Sequence, residues 1–427
     1  MLQKEHIENM LPQGQARPAD RPLPLAGVRV IDFSQFVSGP MATLILADLG
    51  ADVIKVESIA GGDSFRKYPP IDADLPTQGA PFLWTNRNKR SLAVDLKRPQ
   101  GVELLRQLVA QADVIVENFS TGVMERLGLG YETCAALNPR LVYCSVSAYG
   151  RHGQSASRLG FDSIVMAESG FTSMTGYPDR DPVRAGPAVI DMSTGLMAGN
   201  AILAALMARH STGKGQQVEV AMIDTAMTMV GYAAMQVLCS GQERERSANV
   251  NLEAAPAGSF RASDKLFVIN CGTTKMFQQL FTVFGRQDIA FHPDLQQAWQ
   301  RVKARDWIEG IAQECFSQRP WSEWNQHLQE AGIPAGEVRS LSEALYSEDV
   351  RDRGLVTRVP HPKVGWLPNI ALPLRLSDTP LADPVAGPAL GQHTEEVLAG
   401  LLHLSAAQID DLCAQGIVAR ESAHGSA

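Results

Sequence analysis

Five short runs rich in β-branched residues recur between residues 28 and 150: VRVIDF (28–33), DVIKVE (52–57), SLAVDL (91–96), DVIVEN (113–118) and LVYCSVSAYG (141–150). Helical patterns fill the intervals. PMATLILADLG (40–50) has apolar residues at helical spacing and a closing glycine. RPQGVELLRQLVAQA (98–112) carries Pro99 in its first turn, where a missing N–H costs no helix bond. Strands alternating with helices predict an α/β fold, a parallel sheet doubly wound in the Rossmann manner.

The signatures that commonly accompany such a sheet are missing. The first strand runs into SQFVSGP rather than GxGxxG, and neither GxxxxGK[ST] nor GxSxG occurs. An NAD dehydrogenase, a P-loop enzyme and an α/β-hydrolase all lose support. With 38 basic against 46 acidic side chains the formal charge is −8, which argues against general nucleic-acid binding but leaves room for a local basic pocket. Six scattered cysteines without a CxxC pair read as reduced thiols of a cytoplasmic protein, and nine histidines without metal spacing predict no metal site.

The 427 residues suggest at least two domains. Residues 1–24, polar and proline-containing, are expected to form a mobile leader. The large Rossmann-like domain is placed at 25–225 and completed by 336–427, and a smaller domain at 226–335. Residues 213–238 suggest a short strand leading into a long helix, and SFRASDKLFVINCGTT a hairpin. The chain is expected to return through another strand or two and end in the helix HTEEVLAGLLHL and a tail. Two uncharged stretches, 192–208 and 225–242, contain enough Gly, Ser, Thr, Asn or Gln to read as helices buried in protein rather than as membrane spans.

Within RAGPAVIDMSTGLMAGNAILAALMAR (184–209) Asp191 is the one acid. A carboxylate among small and apolar residues is either the cap of a helix beginning at Met192 or a reactive group.

The ordered set PLAGVRVIDFSQFVSGP (24–40), LADLGADVIKVESIAGGDSFR (46–66), NRNKRSLAVDLKRPQG (86–101), ADVIVENFSTGVMERLGLGYE (112–132), LGFDSIVMAESG (159–170), AGPAVIDMSTG (185–195), TGKGQQVEVAM (212–222), AGIPAGEV (331–338) and LGQHTEEVL (390–398) resembles the class III CoA-transferases, the formyl-CoA and carnitine CoA-transferase family. The resemblance implies two-domain subunits interlocked as rings in a homodimer. It implies acyl-CoA and a small carboxylate as substrates, with coenzyme A as the carried group and no permanently bound cofactor. It carries the catalytic aspartate onto Asp191. A carboxylate can hold an acyl unit as an anhydride and then CoA as a thioester, as transfer between two acids requires.

The resemblance also implies CoA contacts at Val37 and Ser38, from Val94 to Lys97, at Asn118 and Phe119, at Arg126, and from Arg158 to Phe161. Lys97 and Arg126 would face phosphate, with Arg66 and Lys89 as further candidates. Three departures stand out. Ser58 occupies a position where family members carry a base for the adenine end. CGTTKMF (271–277) replaces a run of four glycines, which counts against oxalate or formate. Phe161 stands where the related 2-methylacyl-CoA racemases have the histidine of their proton-transfer pair, so the racemase reading lacks one base unless His152 supplies it. A CoA-binding protein without catalysis, with Asp191 as a cap, is the remaining alternative. Succinyl-CoA is the expected donor, and the acyl pocket is expected between the small domain of one subunit and the large domain of the other.

Overall fold

A computed structural model describes residues 10–14 and 16–421. Six parallel strands, β1 (Arg29–Asp32), β2 (Asp52–Glu57), β3 (Lys89–Val94), β4 (Val114–Glu117), β5 (Val142–Ser147) and β6 (Gln216–Ala221), stand in the order β3-β2-β1-β4-β5-β6. The short strand Val418–Ala419 adds an antiparallel edge beside β3. The strand order reverses between β1 and β4, and α/β sheets bind ligands at the crevice beyond such strand ends.

Register explains why the strands read as apolar runs. Ile31 lies opposite both Ile54 and Ile115, and with Tyr143 these side chains pack on Leu105 and Leu108 of the helix Pro99–Val109. Val30, Val53, Val114 and Val142 point the other way, onto Ala198 and Ile202 of the helix Val189–Thr212. Successive residues along β1 to β5 are therefore buried on opposite faces, whereas β6, at the sheet's edge, is largely exposed. The helix Val189–Thr212 is long and apolar enough to cross a membrane, yet a stripe of it from Ile190 to Leu206 packs in this unit. It also meets the helix Ser38–Asp48 closely. A Cβ on Gly195 would stand 2.7 Å from the Ser38 carbonyl oxygen, so only glycine permits the approach.

The chain divides into two compact units. One holds the sheet and comprises the chain to Phe171, Ala185–Met235 and the chain from Tyr346; the other comprises Thr172–Arg184 and Gln236–Leu345. These bounds differ from the expected 226–335. The long helix expected after β6 breaks at Gly231, where φ is +35°, and its first half, Met222–Met229, packs Met222 and Ala226 against Val165 and Ile190 of the sheet unit. Thr172–Arg184 joins the second unit because Arg246 donates to the carbonyls of Tyr177 and Arg180. That unit is built on an antiparallel sheet of Ala257–Arg261, Leu266–Asn270 and Ala335–Glu337, over a core rich in rings: Phe260, Phe267, Phe277, Phe281, Phe316 and Trp324.

The mobile-leader expectation needs correction in part. Residues 1–9 and 15 lie outside those described. From Leu11, which is buried, the chain packs on the hairpin Val356–His361 and Gly365–Ile370: Arg358 donates its N–H to Pro12 and Gln13 bridges to Arg358. Arg17 donates its N–H to Asp383 at 2.7 Å and Arg21 donates to the Ser377 carbonyl, bonds that tie the segment down further on. The C-terminal region adds a second helix, Ala406–Ala414, where the sequence was read as a tail.

Candidate active site

The end of β1 runs into a loop, 34–37, whose backbone is hydrogen-bonded at each of its first three residues. Ser34 donates its N–H (2.9 Å) and hydroxyl (2.5 Å) to Asp32. Gln35 donates to Asn118 Oδ1 at 2.9 Å while Asn118 Nδ2 donates back to the Gln35 carbonyl at 2.8 Å. Phe36, at a left-handed φ of +64°, donates to Asp63 Oδ1 at 3.2 Å. Such a conformation costs a non-glycine residue free energy and persists only where its surroundings hold it. The helix Ser38–Asp48 follows, with Val37 at its N-cap position.

Asp191 is delivered to this helix start from the other side. It is the third residue of the helix Val189–Thr212 and does not cap it. That task falls to Asp162, whose Oδ1 accepts from the N–H groups of Ile190 (2.8 Å) and Asp191 (3.0 Å). The cap alternative is thereby overturned: the helix starts three residues before Met192, and a different acid serves it. The Asp191 side chain is half-buried and its Oδ1 accepts from Ser38 Oγ at 2.5 Å. No cation pairs with it among the described residues. Burial pushes its carboxyl up, the Ser38 hydrogen bond opposes this, and the nearby Asp162 charge adds to the rise, to about 6. The N–H groups of Ser38 and Gly39, at the start of their helix, have no intrahelical acceptor.

Of the remaining predicted positions, Asn118, Phe119 and Arg158 line one open cleft beyond the ends of β4 and β5, together with Tyr149 and Arg151. Asn118 spends its amide on the Gln35 backbone. Arg158 is exposed, lies over the Tyr149 ring at 4.4 Å and pairs with Glu168 at 2.6 Å. Phe161 is 62 % exposed and meets Phe36 edge-on at 6.1 Å. Lys97 and Arg126 are exposed, on the loop after β3 and at the end of the short helix Val123–Arg126. Val94 is sealed in the core, so its side chain is closed to any ligand.

Arg66 and Lys89 are corrections. Both are buried: Arg66 forks onto Glu57 (2.6 Å) and stacks 3.7 Å from the Phe82 ring, and Lys89 pairs with Asp32 at 3.1 Å. Neither faces a ligand. His152 is exposed and makes no hydrogen bond to Asp191 among the described residues. CGTTKMF is not a glycine loop; Thr273 caps the helix Thr274–Val283. Cys134, Cys144 and Cys271 are buried, which pushes each thiol up to about 12 and leaves it inert.

Four residues that build the site escaped sequence reasoning: Asp162, Asp63, Lys55 and Arg151. Lys55 donates to the Ser34 carbonyl at 2.8 Å and pairs with Asp63 at 3.0 Å. Arg151 pairs with Glu117 and donates to the Phe119 carbonyl, both at 2.6 Å. Only Asp162 left a trace, as the acid of LGFD just before the Asp191 segment.

The pattern of CoA-transferase family III matches residues 25–394. The chain is 34 % identical over 396 residues to the succinyl-CoA:glutarate CoA-transferase of Mus musculus, covering 92 % of this chain and 90 % of that protein. It is 35 % identical over 391 residues to the succinate–glutarate CoA-transferase of Agrobacterium fabrum, covering 90 % and 96 %. Among solved structures, a CAIB/BAIF family protein from Brucella suis matches with a TM-score of 0.81 at 34 % identity, covering 89 % of this chain and 100 % of that one. A switch-point crevice without a dinucleotide loop, with one unpaired carboxylate beside it, agrees with these matches: the chain belongs to CoA-transferase family III and is an enzyme that transfers coenzyme A.

Proposed function

We propose that Asp191 is the carboxylate on which CoA changes hands, with succinyl-CoA as donor and a small dicarboxylate such as glutarate as acceptor. The observation that carries this is the state of Asp191: a carboxylate beside a ligand crevice, paired with no cation among the described residues, pushed up to about 6 and so mostly ionised at neutral pH. An ion-paired carboxylate would be a poorer nucleophile.

Asp191 attacks the thioester carbonyl of the donor, the C–S bond breaks, and an anhydride and CoA thiolate result. The thiolate attacks the aspartyl carbonyl and expels the donor acid, leaving an aspartyl thioester. The acceptor carboxylate attacks that thioester, releasing thiolate, which then attacks the acceptor acyl carbon and restores Asp191. Each step passes through an oxyanion, and the N–H groups of Ser38 and Gly39, which lack an intrahelical acceptor, are the donors assigned to it. Phe161 and Phe36 supply apolar surface, the buried Val37 has little but its main chain to offer, and Asn118, Phe119 and Arg158 form the cleft for the pantetheine arm. Lys97 and Arg126 supply charge for phosphate, and Val94, its side chain sealed in the core, has only its main chain to offer. With Ser58 uncharged, the exposed Lys67, at the end of the short helix Ser64–Lys67, is the nearby cation offered to the adenine end.

A homodimer is supported by apolar side chains left on the surface of the sheet unit, Leu196, Met197, Met207, Met227, Tyr232 and Met235. Six free thiols support a cytoplasmic setting. The test is trapping: incubation with succinyl-CoA followed by borohydride is expected to reduce Asp191, and peptide mass spectrometry reads the site. An unmodified Asp191, or an Asp191→Ala variant with full transferase activity, overturns the assignment.

A further inference from the structure

We infer that the Ser38 hydroxyl is a catalytic group that acts on the carbonyl of Asp191 itself, donating to the oxyanion that forms there when the aspartyl intermediates are attacked. The inference rests on Asp191 carrying CoA. Ser38 is 4 % exposed and begins the helix Ser38–Asp48, and its carbonyl is wedged against Gly195, one turn along the helix that carries Asp191. The two side chains thus have fixed bases. An ionised carboxylate only accepts hydrogen bonds, so Ser38 Oγ–H donates and Asp191 Oδ1 receives, at 2.5 Å.

This divides the labour between the two oxygens of Asp191. Oδ1 is engaged, so Oδ2 is the oxygen left to attack the donor. In the anhydride, Oδ2 bridges to the acyl group and Cγ=Oδ1 remains against Ser38. Attack of the CoA thiolate on Cγ moves the carbonyl electron pair onto Oδ1. Collapse expels the donor carboxylate with Oδ2 and leaves the thioester Cγ(=Oδ1)–S. Attack of the acceptor carboxylate on Cγ repeats the event: charge again gathers on Oδ1, and the C–S bond breaks to release thiolate. The hydroxyl already faces the atom on which charge develops, which is the geometry that makes a donor worth most in the transition state. In the two steps at substrate acyl carbons, charge gathers on the substrate oxygen, where the Ser38 hydroxyl, held on Oδ1, contributes little.

The experiment is rapid-quench intact-mass measurement of the enzyme–CoA adduct formed from succinyl-CoA without acceptor. Ser38→Ala is expected to slow adduct formation and kcat by about 10²-fold, the usual cost of losing one oxyanion donor, with KM for succinyl-CoA changed by less than about threefold. The acid limb of adduct formation is expected to move above its wild-type position near pH 6, because the lost hydrogen bond favours ionised Asp191. Ser38→Thr keeps the hydroxyl and is expected to recover most of the rate. A structural role would alter thermal unfolding or KM and leave the pH limb in place. Adduct formation by Ser38→Ala within about threefold of wild type, or an unmoved acid limb, overturns the inference alone. Absence of adduct in the wild-type enzyme overturns the aspartyl reading and this role with it.

Discussion

Carboxylates on the two sides of the β1 loop are treated in opposite ways. Beneath it, Asp32, Glu57 and Asp63 are buried with Lys55, Arg66 and Lys89, three acids against three bases. Burial alone would push Asp32 up, but Lys89 and Lys55 outweigh it and hold the carboxyl at about 2; Arg66 and Lys55 do the same for Glu57, also to about 2. Across the loop, Asp191 has one hydroxyl and a neighbouring acid, and burial wins. Paired charges form a scaffold with fixed geometry. The unpaired one keeps its electron pairs available for chemistry.

The sharpest way to break this contrast is to remove the unpaired acid. Asp191→Asn is expected to lower kcat by about 10⁴-fold or more without unfolding the enzyme, since the amide keeps the Ser38 contact and loses only the nucleophile. Steady-state kinetics with circular dichroism checks it. A residual rate within tenfold of wild type would place the chemistry elsewhere.

The scaffold should answer differently. Lys55→Met strands Asp63 without its cation, leaves Asp32 with Lys89 alone, and is expected to cost about 3–5 kcal/mol in urea unfolding. Lys55→Met/Asp63→Leu, which removes the pair together, is expected to recover much of that loss. Equal losses in the two variants would show that the ion pair contributes beyond its own charges.

A smaller effect is the acid limb of stability. Asp32 and Glu57 are held below their ordinary values, so the unfolded chain binds protons first as pH falls. Their stabilisation is complete above about pH 5 and lost progressively as pH drops to about 2, at about 2–3 kcal/mol for each carboxylate. Urea midpoints at pH 6, 4 and 3 measure it, and a flat profile across that range would contradict the pairing.

The same contrast governs what the sequence discloses. The sheet is legible because strands buried on both faces carry their own signature: Ile31, Val53 and Val114 need no partner to be read. Asp191 is legible through isolation, since a lone acid among small residues is a local fact, and the family resemblance is the source of the role proposed for it. Ion pairing is not local. Arg66 and Lys89 look like free cations for phosphate because Glu57 and Asp32, which consume them, sit on other strands. The bonds that tie the Asn118 amide to Gln35, 83 residues away, are equally invisible in the sequence. Asp162 caps a helix 28 residues later. The helix Ala406–Ala414, by contrast, left a readable sign in the capping box of Ser405 and Gln408.

The smallest expected effect tests the contrast from the stability side, with the sign reversed. Because Asp191 is raised in the folded protein, the native state binds its proton more tightly than the unfolded chain does. Ionising it therefore costs stability, beginning as pH rises past the unfolded value of 3.8 and complete above about 6. Asp191→Asn removes that cost. The variant is expected to be more stable than wild type by about 1–2 kcal/mol at pH 8 and equal to it near pH 4. Paired urea titrations at the two pH values decide it. A variant destabilised at pH 8 would mean that the ionised carboxylate is satisfied in the native state, and that Asp191 belongs with the scaffold rather than apart from it.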